Sequence, residues 1–153
     1  MLEKMKMIWQ DAKQLKDERG LTLVELLVVV VILGIIAAIA VVAIGGIIEN
    51  SKKDAMVADA KQMVSAAKLY TVSNSVETTE ALDFKTTDGK EFIASMNDPF
   101  NTDNEYGTAV VDITNTDGKY SYTVHLVGSK FQFADNTSES SLKKDNLAKV
   151  TAK

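Results

Sequence analysis

The pattern of hydrophobic and polar residues divides the chain into a charged prefix, one long apolar run and a mixed C-terminal part. The apolar run covers residues 26–48, which are 23 residues without a polar side chain, and 16 of them are Leu, Ile or Val. At about 1.5 Å of rise per residue, a helix of this length reaches roughly 35 Å, enough to cross the roughly 30 Å hydrocarbon core of a bilayer. The pattern therefore predicts a membrane-spanning helix.

The prefix before this run carries apolar residues at spacings of three and four, typical of an amphipathic helix on a membrane surface, although an ordinary charged leader fits equally well. These residues are Leu2, Met5, Ile8, Trp9, Ala12 and Leu15. Three basic residues, Lys13, Lys16 and Arg19, precede the run, whereas the first basic residues after it have acidic neighbours. The positive-inside rule then predicts a cytoplasmic N-terminus and places everything after Ile48 outside.

A cleaved secretory signal is the alternative for this N-terminal region, because Ala38-Ile39-Ala40 has the small residues of a signal peptidase site. The apolar run continues for eight residues beyond that point. A signal core has about 7 to 15 apolar residues, so the longer run favours a retained anchor.

The junction between prefix and run has the sequence Gly20-Leu21-Thr22-Leu23-Val24-Glu25. With the Val/Ile/Leu-rich run that follows, it resembles the class III leader and N-terminal helix of the type IV pilin and type II pseudopilin superfamily. The resemblance implies that prepilin peptidase cuts between Gly20 and Leu21 and methylates the new N-terminus at Leu21. It also implies that Glu25 takes part in filament assembly. Thr22 is grouped with Glu25, since the two fit the N-cap and N3 positions of a capping box.

Two positions depart from the family pattern. Leu21 stands where the first mature residue is commonly phenylalanine, and Val42 replaces a proline often found late in the span. Gly34 does match a common glycine. The helix weakeners near Val42 are Gly45 and Gly46, and each glycine costs about 1 kcal/mol relative to alanine without blocking a helix. Local melting of the helix in a filament is therefore left open.

The helix is expected to continue to about Val72, because apolar residues recur at intervals of four and three beyond the membrane run. These residues are Met56, Ala60, Met63, Ala67 and Tyr70. Strand patterns follow at residues 90–96, 107–114 and 119–127, with a further arm at Phe131 and Phe133. Asn115-Thr116-Asp117-Gly118 predicts a hairpin between the two middle strands.

The predicted fold class is therefore α+β: a long N-terminal helix packed on a small antiparallel sheet of three or four strands, pilin-like in form. The expected segments are a leader at 1–20 that is removed, a transmembrane and assembly helix at 21–48, an amphipathic helix at 49–72, an antiparallel β domain at 73–135, and a polar C-terminal tail at 136–153.

Composition limits the chemistry of the outer part. The chain has no cysteine, which excludes disulfides, thiolate zinc sites and cysteine nucleophiles, and His125 is its one histidine. No base partner for His125 is evident on its predicted strand. Residues 21–153 hold 12 Lys/Arg against 17 Asp/Glu, which does not favour direct binding of nucleic acid. We predict that the chain is not an enzyme.

The segment from Asp98 to Tyr106 is the one candidate for a metal site. Asp98, Asn101, Asp103 and Glu105 offer the oxygen ligands that calcium prefers, and the segment resembles the Asp-Pro-aromatic loop of major pseudopilins, some of which bind calcium. The spacing does not match an EF-hand. An acidic surface turn started by Asn97-Asp98-Pro99 is the favoured alternative, and no other cofactor is expected.

The predicted function is a structural subunit that polymerises into a type IV pilus or a competence or secretion pseudopilus, for example a Gram-positive pilin or a major competence pseudopilin. The expected partners are further copies of the chain, prepilin peptidase, a membrane assembly platform with minor pilins, and membrane lipid before assembly. The alternative is a single-span anchored surface module for adhesion or ligand binding that never polymerises. The two differ in whether residues 1–20 must be removed.

Overall fold

The computed structural model describes the backbone of residues 1–151 and the side chains of residues 1–14 and 22–151. The chain forms two units, Met1–Ile47 and Ile48–Lys153. Helix α1, Leu2–Ser73, makes up the first unit and begins the second. The helix is unbroken because the chain's one proline, Pro99, comes after it, and its glycines weaken a helix without ending it.

Within the described residues of the first unit, the apolar run exposes its side chains on every side of the helix. The helix segment Thr22–Ser73 is the one described helix that is long and apolar enough to cross a membrane, and its most apolar window has a mean hydropathy of 3.5. This agrees with the membrane-spanning helix predicted from the sequence.

The part of α1 in the second unit packs through the predicted stripe. Met56, Ala60, Met63 and Ala67 are fully buried, and Tyr70 is partly buried against the same core. The sequence prediction of an amphipathic helix over this segment is confirmed.

The stripe covers a five-stranded antiparallel sheet with the strand order β1-β4-β5-β6-β7. A separate pair, β2 and β3, and a short helix α2 lie between β1 and β4 in the sequence. The bounds are β1 Thr79–Asp83, α2 Thr87–Lys90, β2 Asn97–Asp98, β3 Asn101–Glu105, β4 Thr108–Thr116, β5 Lys119–Val127, β6 Phe131–Ser138 and β7 Ala148–Lys149. The α+β, pilin-like fold class is confirmed, but the predicted three or four strands are too few, because the short strands β1 and β7 also pair with the sheet.

The hairpin between β4 and β5 is tighter than the four residues of its predicted turn. Thr116 pairs with Lys119, so Asp117 and Gly118 alone form the loop. Both have positive φ, 54° and 83°, as two-residue hairpin turns of the primed types require. The Asn115 side chain accepts a hydrogen bond from the Gly118 N–H at 2.9 Å and closes the turn.

The predicted strand at residues 90–96 is wrong. The backbone N–H groups of Phe92 and Ile93 donate to Gly89 O at 3.1 and 3.2 Å. These hydrogen bonds form a turn, so the two groups do not pair with a neighbouring strand. Gly89 itself packs so closely that a Cβ there would lie 2.4 Å from Asp83 O. The chain therefore folds back tightly after β1, a strand that the sequence analysis missed.

The C-terminal segment also differs from the predicted polar tail at 136–153. Strand β6 continues to Ser138, and two 3₁₀ turns, Glu139–Ser141 and Lys144–Asn146, follow it. Leu142, between these turns, is 1% exposed and belongs to the core. The chain then returns to β6 as β7, because one buried leucine and a few backbone hydrogen bonds suffice to dock a short segment.

Polar contacts tie α1 to the rest of the second unit. Tyr106 is 1% exposed, and its hydroxyl donates to Asp59 Oδ2 at 2.6 Å. Burial, followed by this hydrogen bond, raises the pKa of Tyr106, and burial also raises the pKa of Asp59. One turn before the helix ends, the Tyr70 hydroxyl donates to Glu80 at 2.6 Å, which raises the pKa of Tyr70 to about 12.

Candidate assembly site

The predicted cleavage and methylation positions, Gly20 and Leu21, lie outside the residues whose side chains the structure describes. Thr22 and Glu25 are described, and both are exposed on helix α1. Residues three apart on a helix are neighbours on one side of it. The structure therefore places the two predicted assembly residues next to each other at the start of the apolar segment.

The capping role considered for Thr22 and Glu25 depends on the prefix. With the prefix attached, α1 begins at Leu2, so Thr22 is an interior helix residue and cannot serve as an N-cap. Removal of residues 1–20 would leave Thr22 next to the new N-terminus, where the first helical N–H groups have no intrahelical acceptor. Only the shortened chain can form the predicted capping box.

The run that follows presents apolar side chains around the whole helix. Among the large side chains of the run, the exposed fraction is lowest at Val28, 47%, and highest at Val42, 80%. The glycines in the run leave open surface, since a Cβ at Gly34, Gly45 or Gly46 would meet nothing within 4 Å. A helix that is apolar all round is stable only inside a membrane or a protein core. This surface therefore requires lipid or other helices around it.

Residues 15–41 match the prokaryotic N-terminal methylation motif. The match begins in the prefix, includes Gly20, Leu21 and Glu25, and ends inside the apolar run. Comparisons with curated proteins and with solved structures find no match. The motif and the long apolar helix are consistent with a membrane-anchored, type IV pilin-like protein that is a substrate of prepilin peptidase. The motif points to a structural protein rather than an enzyme.

The calcium candidates are not gathered into one site. Asp98 is 2% exposed, and its carboxylate accepts hydrogen bonds from the backbone N–H groups of Phe100 at 2.9 Å and Ser129 at 2.5 Å. This carboxylate thus joins the β2–β3 pair to the turn before β6. Neither the calcium interpretation nor the surface turn had predicted a buried acceptor at Asp98.

The other three candidates, Asn101, Asp103 and Glu105, lie on the exposed strand β3. Glu105 is 3.7 Å from Lys90 Nζ. Among the residues that the structure describes, no group of three or more His, Cys, Asp or Glu side chains could hold a metal ion. Calcium binding therefore stays a prediction, and it would need ligands from backbone or water.

A calcium titration of the full chain in detergent tests that prediction. Binding at β3 should raise the melting temperature of the second unit, because a ligand present at about 100 times its Kd stabilises the folded state by about 2.7 kcal/mol. Asp103→Asn should abolish the rise, since it removes one charged ligand. Equal melting temperatures in millimolar calcium and in chelator would contradict the prediction.

The structure gives His125 a partner that the sequence analysis did not identify. His125 Nδ1 lies 2.5 Å from Asp135 Oδ1, and the histidine side chain is 30% exposed. Strands β5 and β6 are neighbours joined by a short turn, so a predicted β5–β6 pairing was the one feature of the sequence that could have suggested this contact. The sequence did not reveal that His125 lies beside Asp135, because the β5–β6 register shifts between Val124 and Leu126. Counting residues outward from the turn therefore does not give the correct cross-strand partner.

Proposed function

We propose that the chain is a structural subunit that polymerises into a type IV pilus or pseudopilus after prepilin peptidase removes residues 1–20 and methylates Leu21. The observation that carries the proposal is the methylation motif at residues 15–41, which leads into a helix with an apolar surface exposed on all sides. The motif supports cleavage and methylation of the N-terminus. The apolar surface supports packing of the helices against one another in a filament core.

The physical basis of assembly is an exchange of surroundings for the apolar run. Before assembly, lipid covers residues 26–48, and in the filament the same residues are covered by the helices of neighbouring subunits. Lipid tails are as apolar as leucine, so the exchange gains little hydrophobic free energy. Order in the filament must then come from close helix packing and from polar pairs such as the one proposed below for Glu25.

The partners that follow from this proposal are further copies of the chain, prepilin peptidase, a membrane assembly platform and minor pilins. The N-terminus lies in the cytoplasm and the second unit outside, in accord with the basic residues before the run. In the assembled state the subunit is extracellular.

Gly20→Val tests the processing step. We expect wild-type protein, expressed with prepilin peptidase, to lose residues 1–20 and to carry a methyl group on Leu21. The Gly20→Val chain should stay full-length in the membrane, because a branched side chain adjoins the bond to be cut. Intact-mass spectrometry of membrane-extracted protein measures both changes in one spectrum.

Gly34→Val is the matched control, since it makes the same change in the same helix at a position where a Cβ meets nothing within 4 Å. It should be processed normally. If Gly20→Val is still shortened by 20 residues, the cleavage site is misplaced. If the wild-type chain keeps its prefix, the proposal of a filament subunit is wrong, and the chain is better interpreted as an anchored surface module that does not polymerise.

A further inference from the structure

A basic patch lies in the second unit at the point where the apolar run ends. It consists of Lys52 and Lys53 on α1, Lys130 before β6 and Lys149 in β7. Lys130 and Lys149 are exposed. The patch stands out because residues 21–153 as a whole carry more acidic than basic residues.

Strand pairing brings Lys130 and Lys149 together, and a ring contact joins them to the helix lysines. Lys149 pairs with Phe131 in the β6–β7 ladder, and the Val150 N–H donates to Lys130 O at 2.9 Å. The Lys53 ammonium lies 4.4 Å from the centroid of the Phe131 ring, so the helix lysines adjoin the strand lysines. The docking of β7 therefore assembles a cationic surface from three separate parts of the chain.

Among the described residues, Glu49 is the exposed acidic residue that lines the patch, and the Asp98 carboxylate is buried beside the Ser129 N–H. Lys53 Nζ is 3.0 Å from Glu49 Oε1 and neutralises it. The hydrogen bond from Lys53, the charge of Lys53 and the charges of Lys130 and Lys149 all lower the pKa of Glu49. Lys52, Lys130 and Lys149 then provide the excess positive charge of the patch. A surface crevice is lined by Lys130 and Lys149 on one side and by Glu49 on the other.

The positions of Lys52 and Lys53 along the chain bring these two lysines within reach of a membrane surface. Ile48 ends the apolar run, and Lys52 follows it by four residues, or about 6 Å of helix rise. The headgroup region of one leaflet is roughly 5 to 8 Å thick, since a bilayer measures about 40 to 45 Å overall and about 30 Å in its hydrocarbon core. Lys52 and Lys53 are thus close enough to the end of the span to reach lipid phosphates.

We propose that this patch binds the phosphates of anionic phospholipids and docks the second unit on the membrane surface that its own helix crosses. Three uncompensated lysines would hold a free protein only weakly. The membrane span keeps this unit beside the lipid, so docking is intramolecular and avoids most of the cost of association. The proposal requires the membrane span but neither leader removal nor polymerisation.

A single spin label on the full chain measures docking. The chain has no cysteine, and Ser129 is exposed beside the patch, so Ser129→Cys gives one labelling site. The labelled chain is placed in phosphatidylglycerol or phosphatidylcholine vesicles that contain a lipid with a nickel-chelating headgroup. Docking brings the label to the headgroups and increases its relaxation by nickel. We expect strong relaxation in phosphatidylglycerol and weak relaxation in phosphatidylcholine.

Charge reversal shows which lysines act. Each lysine near an anionic surface is expected to raise the ratio of docked to free unit about fivefold. Lys130→Glu with Lys149→Glu should therefore lower that ratio by about 25-fold or more. Lys61→Glu with Lys119→Glu makes the same change in net charge at exposed sites outside the patch, and should have little effect. Lys119 begins β5, eight residues from its end at Val127, and thus about 26 Å from the turn that bears Ser129.

Salt tests the wild-type chain without any lysine substitution. Raising the ionic strength from about 0.1 M to about 1 M shortens the Debye length from about 10 Å to about 3 Å, and should abolish the difference between the two lipids. Equal relaxation in both lipids at low salt would overturn the proposal. So would an equal loss in the two charge-reversed variants, because that result would indicate net charge rather than the patch.

Discussion

Met63→Asp is expected to lower the free energy of unfolding of the second unit by several kcal/mol. Met63 is fully buried in the stripe that α1 presents to the sheet. Its side chain lies in an apolar cluster, so an aspartate there would have to stay charged without a partner or take up a proton. Either outcome adds to the cavity left by the lost methionine, and buried charges are among the few changes that exceed about 4 kcal/mol.

Residues 48–153 are the fragment in which to measure this effect. Among the residues whose side chains the structure describes, the buried hydrophobic core runs from Met56 to Leu142. The fragment therefore retains the core, and we expect it to unfold in one cooperative transition. Denaturant unfolding followed by circular dichroism gives the free energy, and an unchanged slope with denaturant would show that the change is one of stability.

Two controls separate burial from other effects of the substitution. Met63→Leu keeps a similar apolar volume and should cost less than about 1.5 kcal/mol. Gln62→Asp places the same carboxylate at the adjacent, exposed helix position and should cost about 1 kcal/mol or less. If Met63→Asp were no worse than Gln62→Asp, α1 would pack on the sheet through another face.

Features encoded by local periodicity were predicted correctly from the sequence. The apolar run, the stripe that contains Met63 and the hairpin at Asp117-Gly118 each depend on residues close together in the chain. An apolar run needs a covering environment, a period near 3.6 needs a helix, and Asp-Gly adopts the positive φ angles that a two-residue turn requires. Tertiary contacts therefore did not alter these elements.

Features set by long-range contacts were missed. In strand β1 the burial pattern leaves Leu82 as the one buried residue, so there was no alternation to detect. The strand exists because it pairs with β4, about 30 residues later in the chain. Strand β7, which is two residues long, likewise exists because it pairs with β6.

The candidate sites divide in the same way. The Gly20 to Glu25 junction is a contiguous motif, so the sequence alone was enough to identify it, and the match at residues 15–41 agrees with it. Asp98 is different, because one of its two backbone donors, Ser129, comes from 31 residues further on. No local pattern distinguishes such a buried acceptor from a metal ligand or a surface turn.

Glu25→Ala is expected to leave processed, membrane-inserted subunits and no filaments. Cleavage after Gly20 would create a free amine on Leu21 of every subunit, and an unpaired charge near the apolar core of a helix bundle is costly. Glu25 supplies the opposite charge. A neighbouring subunit displaced along the filament axis by about one helical turn would bring its Leu21 amine to this carboxylate. The pair would then form only when the subunits are in register.

Thr22→Ala distinguishes this role from helix capping. Loss of an N-cap typically costs about 1 kcal/mol, so Thr22→Ala should leave filaments that are somewhat less stable but still present. Glu25→Gln keeps the size of the side chain and some hydrogen bonding but removes the charge, and should behave like Glu25→Ala. Filament yield by electron microscopy and the mass of the membrane-bound subunit are the two measurements. If Glu25→Ala chains are cleaved and form filaments in normal yield, the pairing between subunits is excluded, and the capping box of the shortened helix accounts for Glu25.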